Sequence, residues 1–254
     1  MHEWKLAEVR YNIVRERHYE VAILPIGSTE PHGLHLPYGT DNFEVESLAE
    51  QACEKAHADG ARVVLLPTIP YGVTTNQMEF PLAISIDPST LNAVVTDIVQ
   101  SVEHHGIRKL IVLNGHGGNN FNALLRELYR KTQVFIVWID GWQIPQGELR
   151  AGFDHVGEHA DEMETSWMLH LRPDLVFMGD CDDGAVREPR IQAMREGWAW
   201  YVRPWEKLTR NSGFGDPRRA SAQKGAAHLD ACVDSLAKFI VDFSQADIDG
   251  KFPY

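Results

Sequence analysis

Short apolar runs recur along the chain, and segments with apolar residues at helical spacing separate them. Runs of this length are typical of strands that are buried on both faces of a sheet. They predict strands over residues 21–26, 62–66, 109–113 and 134–139, with a further short strand at 83–86.

The intervening segments predict helices. Apolar residues recur every three or four positions over 41–59, and Gly60 stops that pattern. Ser89 is predicted to be the N-cap of a helix that runs to about His105. A third helix follows Asn119 and ends near Lys131, and two more are predicted over 161–171 and 221–243.

Strands that alternate with helices imply right-handed βαβ units. We therefore expect an α/β fold with a mainly parallel sheet covered by helices on both faces. The polar stretch 180–216, with three tryptophans, is interpreted as an irregular insertion that could carry an extra hairpin. Without repeats or a flexible linker, residues 1–254 are predicted to form a single domain.

Composition narrows the function classes. The 254 residues carry a formal net charge of −12, which disfavours nucleic acid and anionic membranes as partners. No apolar run approaches the roughly 20 residues that cross a bilayer, and the charged N-terminal segment does not resemble a signal peptide. Three widely spaced cysteines are typical of reduced thiols, so a cytoplasmic location is predicted.

The first group of chemically capable residues follows the first predicted strand. Glu30 and His32 lie in the loop, and Asp41 begins the next helix. Loops at the carboxyl ends of parallel strands form ligand sites, and carboxylates with imidazoles suit Zn²⁺, Mn²⁺ or Fe²⁺. The alternative is a surface loop in which Asp41 only caps the helix.

The second group is the sequence Asn-Gly-His-Gly-Gly-Asn, which ends at Asn119 and again lies between a strand and a helix. Its glycines permit close approach to a ligand, and His116 between them is a candidate metal ligand or proton carrier. A tight turn with an incidental histidine and a phosphate cradle remain open, although no P-loop pattern is present.

The third group contains His159, Asp161, Glu162 and Glu164. A solvated helix start explains Asp161 and Glu162 well. It explains Glu164 less well, because apolar residues follow, so Glu164 is predicted to face the cleft as a catalytic or metal-binding group.

Taken together, the three groups resemble the creatininase (creatinine amidohydrolase) family. The resemblance rests on Leu-Pro-Ile-Gly-Ser-Thr-Glu-Pro-His-Gly-Leu-His-Leu-Pro with Gly-Thr-Asp41, on Asn-Gly-His-Gly-Gly-Asn, and on His159 with Glu164-Thr-Ser. It implies a three-layer αβα sandwich, two divalent ions per subunit (zinc, or manganese or iron) and a homohexamer. It places Glu30 and His116 on one metal, His32 on the other and Asp41 between them. His159 is the implied proton shuttle.

The sequence also departs from the family pattern. A glutamate that helps bind the second metal is replaced by Gly118, so Glu164 is the candidate to fill the gap. Trp142 is a candidate substrate lid or a simple packing residue, and His35 is assigned a supporting role.

The leading hypothesis is hydrolysis of a small cyclic or linear amide by a metal-bound hydroxide, with His159 passing a proton to the leaving nitrogen. The same machinery acting on a cyclic ketone or lactone, such as a sugar or inositol derivative, is the alternative. A non-catalytic metal- or phosphate-binding protein is a further one.

Overall fold

The computed structural model describes residues 2–144, 152–155 and 157–254. Four strands form one sheet in the order β2-β1-β3-β4, with every neighbouring pair parallel. The strands are β1 (Val21–Ile26), β2 (Val63–Leu65), β3 (Lys109–Asn114) and β4 (Phe135–Asp140). The predicted parallel α/β sheet is therefore confirmed.

Eight α-helices occur among the described residues. They are α1 (Tyr11–Val14), α2 (Thr40–Ala58), α3 (Pro88–His104), α4 (Asn122–Leu128), α5 (Glu162–Leu171), α6 (Gln192–Arg195), α7 (Trp205–Leu208) and α8 (Ala222–Gln245). No described helix is both long enough and apolar enough to cross a membrane.

Alternate residues of the buried strands supply two cores on opposite faces of the sheet. Ile23 and Ile111 pack with α2, α5 and α8 on one face. Leu24 and Val112 pack with α3 and α4 on the other. This is the expected αβα sandwich, in which continuous apolar strands are covered on both sides.

Several local predictions are wrong. Residues 83–86 form no strand; only Ile84 makes an isolated bridge, to Thr29. The N-cap of α3 is Asp87, not Ser89, because Pro88 already occupies the first helical turn. The helix after Asn119 ends at Leu128, three residues before the predicted end near Lys131.

The stretch 180–216 contains no extra hairpin among its described residues. It holds the short helices α6 and α7, and its strand-like contact is a single bridge between Phe214 and His159. The stretch therefore packs against the site region as irregular chain.

Candidate metal centre

Parallel pairing explains why the first two groups meet. The ends of β1 and β3 are aligned, with Ile26 opposite Asn114, so the loops that follow begin side by side. The first loop carries Glu30 and His32, and the second carries His116. All three side chains are buried.

One candidate metal cluster contains Glu30, Asp41 and His116. The Nδ1 atom of His116 lies 3.2 Å from Oε1 of Glu30 and 3.1 Å from Oδ2 of Asp41. Neither contact has the geometry of a hydrogen bond, so both carboxylate oxygens are buried without a hydrogen-bond partner among the described residues. A buried carboxylate oxygen in that state is costly, and a cation between these three atoms would satisfy it.

The other nitrogen of His116 supports the same assignment. Its Nε2 atom lies 2.9 Å from the carbonyl oxygen of Val73 and must donate a hydrogen bond to it. In the neutral ring, Nδ1 then carries no hydrogen, and its lone pair faces the two carboxylates. That arrangement suits a metal ligand oriented by a backbone carbonyl.

A second candidate cluster contains His32, Asp41 and Glu164. The Nδ1 atom of His32 donates to the carbonyl oxygen of Glu30 at 3.0 Å, while Nε2 lies 3.0 Å from Oδ1 of Asp41. Asp41 therefore presents one oxygen to each cluster, as a bridging carboxylate would. This residue lies in the first turn of α2, so the helix fixes its position.

Electrostatics show how strongly the site favours positive charge. Burial lowers the pKa of His32, but Asp41 and Glu164 overcome that effect and raise it to about 9. Burial likewise opposes protonation of His116, yet Glu30 and Asp41 raise its pKa well above the ordinary value. The pKa of Asp41 is lowered, since His32 and His116 outweigh its burial. The centre therefore favours positive charge at the imidazole nitrogens that face its carboxylates.

His159 lies beside both clusters. Its Nε2 atom donates to the carbonyl oxygen of Pro31 at 2.8 Å, and its Nδ1 atom is 3.7 Å from Oε1 of Glu30. Its ring centroid is 4.1 Å from that of His32. Burial, aided by the charge of His32, lowers the pKa of His159 to about 4. His159 also shares a possible metal cluster with Glu30 and His32, so geometry alone leaves it two roles.

Glu164 lies in the first turn of α5 and belongs to the second candidate cluster. Burial raises its pKa to about 8, partly offset by His32. Asp161 is the N-cap of α5, and its side chain accepts hydrogen bonds from the amides of Met163 and Glu164. The interpretation of Asp161 and Glu162 as solvated is wrong: both are buried, and Glu162 is paired with Lys224.

Gly118 cannot easily be replaced. A Cβ atom there would lie 2.0 Å from the carbonyl oxygen of Val73 and 2.4 Å from Nε2 of His116. Contacts that close force the backbone or the His116 ring to move. The local packing is therefore built around the absence of a side chain at this position.

Glu44 also lies near the centre, although it was not among the candidate residues identified in the sequence. It lies one helical turn after Asp41, and its buried Oε1 atom has no hydrogen-bond partner among the described residues. Burial, with Glu164 and Asp41 nearby, raises its pKa well above the ordinary value. The i, i+3 spacing from Asp41 was the available signal. His35, by contrast, joins no candidate cluster; its Nε2 atom lies 2.9 Å from the hydroxyl of Thr165.

The centre opens into a cavity of about 270 Å³. Trp142 lines it from the short turn after β4, which fits a residue beside the substrate, and Asn76 and Gln77 line another side. Arg203 and Trp205 come from the 180–216 stretch. Nothing in their sequence context indicated that they would reach the site.

Comparison with known proteins agrees with this geometry. A family model described as "Creatininase: Creatinine amidohydrolase" matches residues 7–240. The chain is 29% identical to the creatinine amidohydrolase of Pseudomonas putida, over 87% of this chain and 88% of that protein. It is 27% identical to the 3-dehydro-scyllo-inosose hydrolase of Thermotoga maritima, over 94% of this chain and 83% of that protein. It is 30% identical to a mycofactocin precursor peptide peptidase of Mycobacterium tuberculosis, over 86% of this chain and 85% of that protein.

Solved structures give the same picture. A candidate creatinine amidohydrolase from Bacteroides fragilis superposes with a TM-score of 0.92 at 36% identity, covering 98% of this chain and 99% of that chain. A zinc–zinc form of a creatininase variant and a manganese creatininase each superpose with a TM-score of 0.74 at 25% identity, covering 95% and 96% of this chain and 98% and 99% of theirs. Divalent metal is therefore the cofactor class that matches the clusters found here.

Proposed function

The chain belongs to the creatininase family of metal-dependent hydrolases, and from that premise we propose that it cleaves a small cyclic or linear amide. The observation that carries the proposal is the pair of buried carboxylate oxygens, on Glu30 and Asp41, that converge on a histidine nitrogen without hydrogen-bond partners among the described residues. Amide-cleaving relatives include the amidohydrolase and the peptide peptidase.

We assign one metal to Glu30, Asp41 and His116, and the other to His32, Asp41 and Glu164. The donor sets of two carboxylates and one imidazole suit zinc, manganese or iron. Divalent ions held there would polarise a substrate carbonyl and make water more acidic. Each set leaves room for an exogenous oxygen, since three protein ligands do not complete a tetrahedral site.

His159 is assigned the proton transfers. Its Nε2–H is committed to the Pro31 carbonyl, so Nδ1 is the atom that exchanges protons with the reaction. A lowered pKa keeps the ring neutral at neutral pH, ready to accept a proton from water and then donate it to the leaving nitrogen. Packing against Trp205, with ring centroids 5.0 Å apart, holds the imidazole in place.

A second candidate function is cleavage of a cyclic ketone or lactone. The polar side chains of Asn76, Gln77 and Glu158 in the cavity could bind hydroxyl groups of a sugar or inositol derivative. The similarity to the inosose hydrolase points the same way.

A substrate panel separates the two functions. Zinc-loaded protein is incubated with cyclic amides, linear N-acyl amino acids, lactones and cyclic diketones, and product formation is followed by mass spectrometry. We expect turnover of at least one amide class, lost in His159→Ala. Turnover confined to ketones or lactones would contradict the amide proposal.

The remaining properties are proposed more broadly. We propose that the chain is a single domain and a cytoplasmic homohexamer. Support comes from the family match over residues 7–240 and from the resemblance noted in the sequence. Sedimentation of the purified protein tests the assembly.

A further inference from the structure

A basic side chain that the proposed reaction does not use lines the cavity beside the metal centre. Arg203 is the only lysine or arginine among the described residues that line it. The guanidinium lies 5.7 Å from the ring centroid of Trp205 and 6.0 Å from that of Phe214. These aromatic contacts position the charge beside the site.

We propose that Arg203 binds a carboxylate of the substrate, which makes the substrate a small amide that also carries a carboxylic acid. The inference rests on the proposed amidase function and deepens it. A planar guanidinium matches a carboxylate with two parallel hydrogen bonds.

The donors of Arg203 are only partly used. Its Nη2 atom donates to Oε2 of Glu158 at 2.6 Å, and the described residues offer Nε and Nη1 no hydrogen-bond acceptor. The Glu158 side chain is 49% exposed, so water can replace its contact when a ligand arrives. Arg203 is therefore held in place by a partner that it can release or share.

Trp205 adds an independent observation. This residue is 5% exposed and lines the same cavity. Its indole nitrogen is buried without a hydrogen-bond partner among the described residues. A buried donor that lacks an acceptor is unfavourable, and a ligand oxygen near Arg203 would supply one.

The acidic residues of the cavity do not oppose this assignment. Glu30, Asp41 and Glu164 are assigned to metals. Asp161 accepts hydrogen bonds from the amides of Gly157, Met163 and Glu164. Glu158 is left as the carboxylate that competes for Arg203.

Size favours a small acid over a phosphorylated nucleotide. The cavity of about 270 Å³ lies just below the range of roughly 300–1,000 Å³ that is typical of small-molecule pockets. Trp205 contacts both Arg203 and His159, so a carboxylate bound at Arg203 would lie on the side of the cavity where protons are transferred.

Equilibrium binding tests the proposal. Calorimetry on the zinc-loaded protein compares pyroglutamate, a cyclic amide acid, with pyroglutaminol, in which a neutral hydroxymethyl group replaces the carboxylate. The phosphonate analogue of the same ring is the third probe. We expect pyroglutamate to bind about tenfold more tightly than pyroglutaminol, as a charge-assisted pair predicts.

Variants assign the preference to Arg203. Arg203→Met should remove the preference for pyroglutamate over pyroglutaminol. Arg203→Lys should retain part of the preference. Glu158→Gln should strengthen pyroglutamate binding, because it removes the competing carboxylate; a purely structural ion pair would not respond in this way. Arg210→Met is the matched control, since Arg210 pairs with Asp182 and Asp183 and does not line the cavity.

Equal affinities for acid and alcohol in the parent protein, an unchanged preference in Arg203→Met, or no binding of any probe would overturn the proposal. Tighter binding of the phosphonate would overturn its carboxylate form. If the preference depends on Arg203 but the panel shows no amide turnover, the proposed function fails and the carboxylate site stands. If amides are turned over but acids are not preferred, the proposed function stands and the carboxylate site fails.

Discussion

The two walls of the cavity are built in different ways. The metal-binding wall is formed by side chains at the ends of adjacent parallel strands and in the first turns of α2 and α5, where the sheet fixes their positions. The other wall, with Arg203 and Trp205, comes from the 180–216 stretch, in which only short helices occur. We infer that the first wall supplies the chemistry and the second selects the substrate.

The largest effect is expected at Asp41, the residue shared by both metal clusters. Asp41→Asn should lower bound zinc to below about half an equivalent per subunit and abolish hydrolysis, since an amide is a poor substitute for a bridging carboxylate. Metal analysis and turnover on the best substrate of the panel measure this. Asp59→Asn, at the exposed end of α2, is the control. Full zinc content in Asp41→Asn would show that the site is not shared.

His159→Ala separates the chemistry from metal binding. We expect turnover to fall by about 10²–10⁴-fold, as for loss of a general acid–base group, while zinc content stays near that of the parent. His104→Ala, at the end of α3, serves as the control. A matching loss of zinc would instead assign His159 to the third cluster, as a metal ligand beside Glu30 and His32.

Glu164→Gln should affect one metal only. The cluster of Glu30, Asp41 and His116 stays intact in this variant, so about one equivalent of zinc should remain. Glu44→Gln is the informative partner, because Glu44 lies near Glu164 but belongs to no candidate cluster. If Glu164→Gln retains two equivalents of zinc, or if Glu44→Gln loses one, the second metal would be assigned to Glu44 and not to Glu164.

A smaller, graded effect is expected from pH. The pKa of His32 is raised to about 9, so its ring is protonated at neutral pH in the metal-free protein, and the pKa of His116 is shifted in the same direction. Zinc must displace those protons, so zinc affinity should rise with pH and level off above about pH 9. Competition titrations with a chelator between pH 6 and 9 measure the slope. An affinity independent of pH would mean that the histidines are already neutral.

The same division explains how much the sequence could predict. Strand ends and the helix start at Asp41 follow from local apolar patterns, so the convergence of Glu30, His32, Asp41 and His116 could be expected from the sequence. Arg203 and Trp205 lie in a stretch without periodicity, where only tertiary contacts decide position. Glu162 illustrates the intermediate case: its first-turn location was predictable, whereas its burial against Lys224 depends on α8.

The central claim is that Asp41 bridges two metal sites. Anomalous diffraction at the zinc edge, from crystals of zinc-loaded protein, tests it most directly. We expect two peaks, one beside Glu30, Asp41 and His116 and the other beside His32, Asp41 and Glu164. A single peak, or two peaks that do not share Asp41, would contradict it.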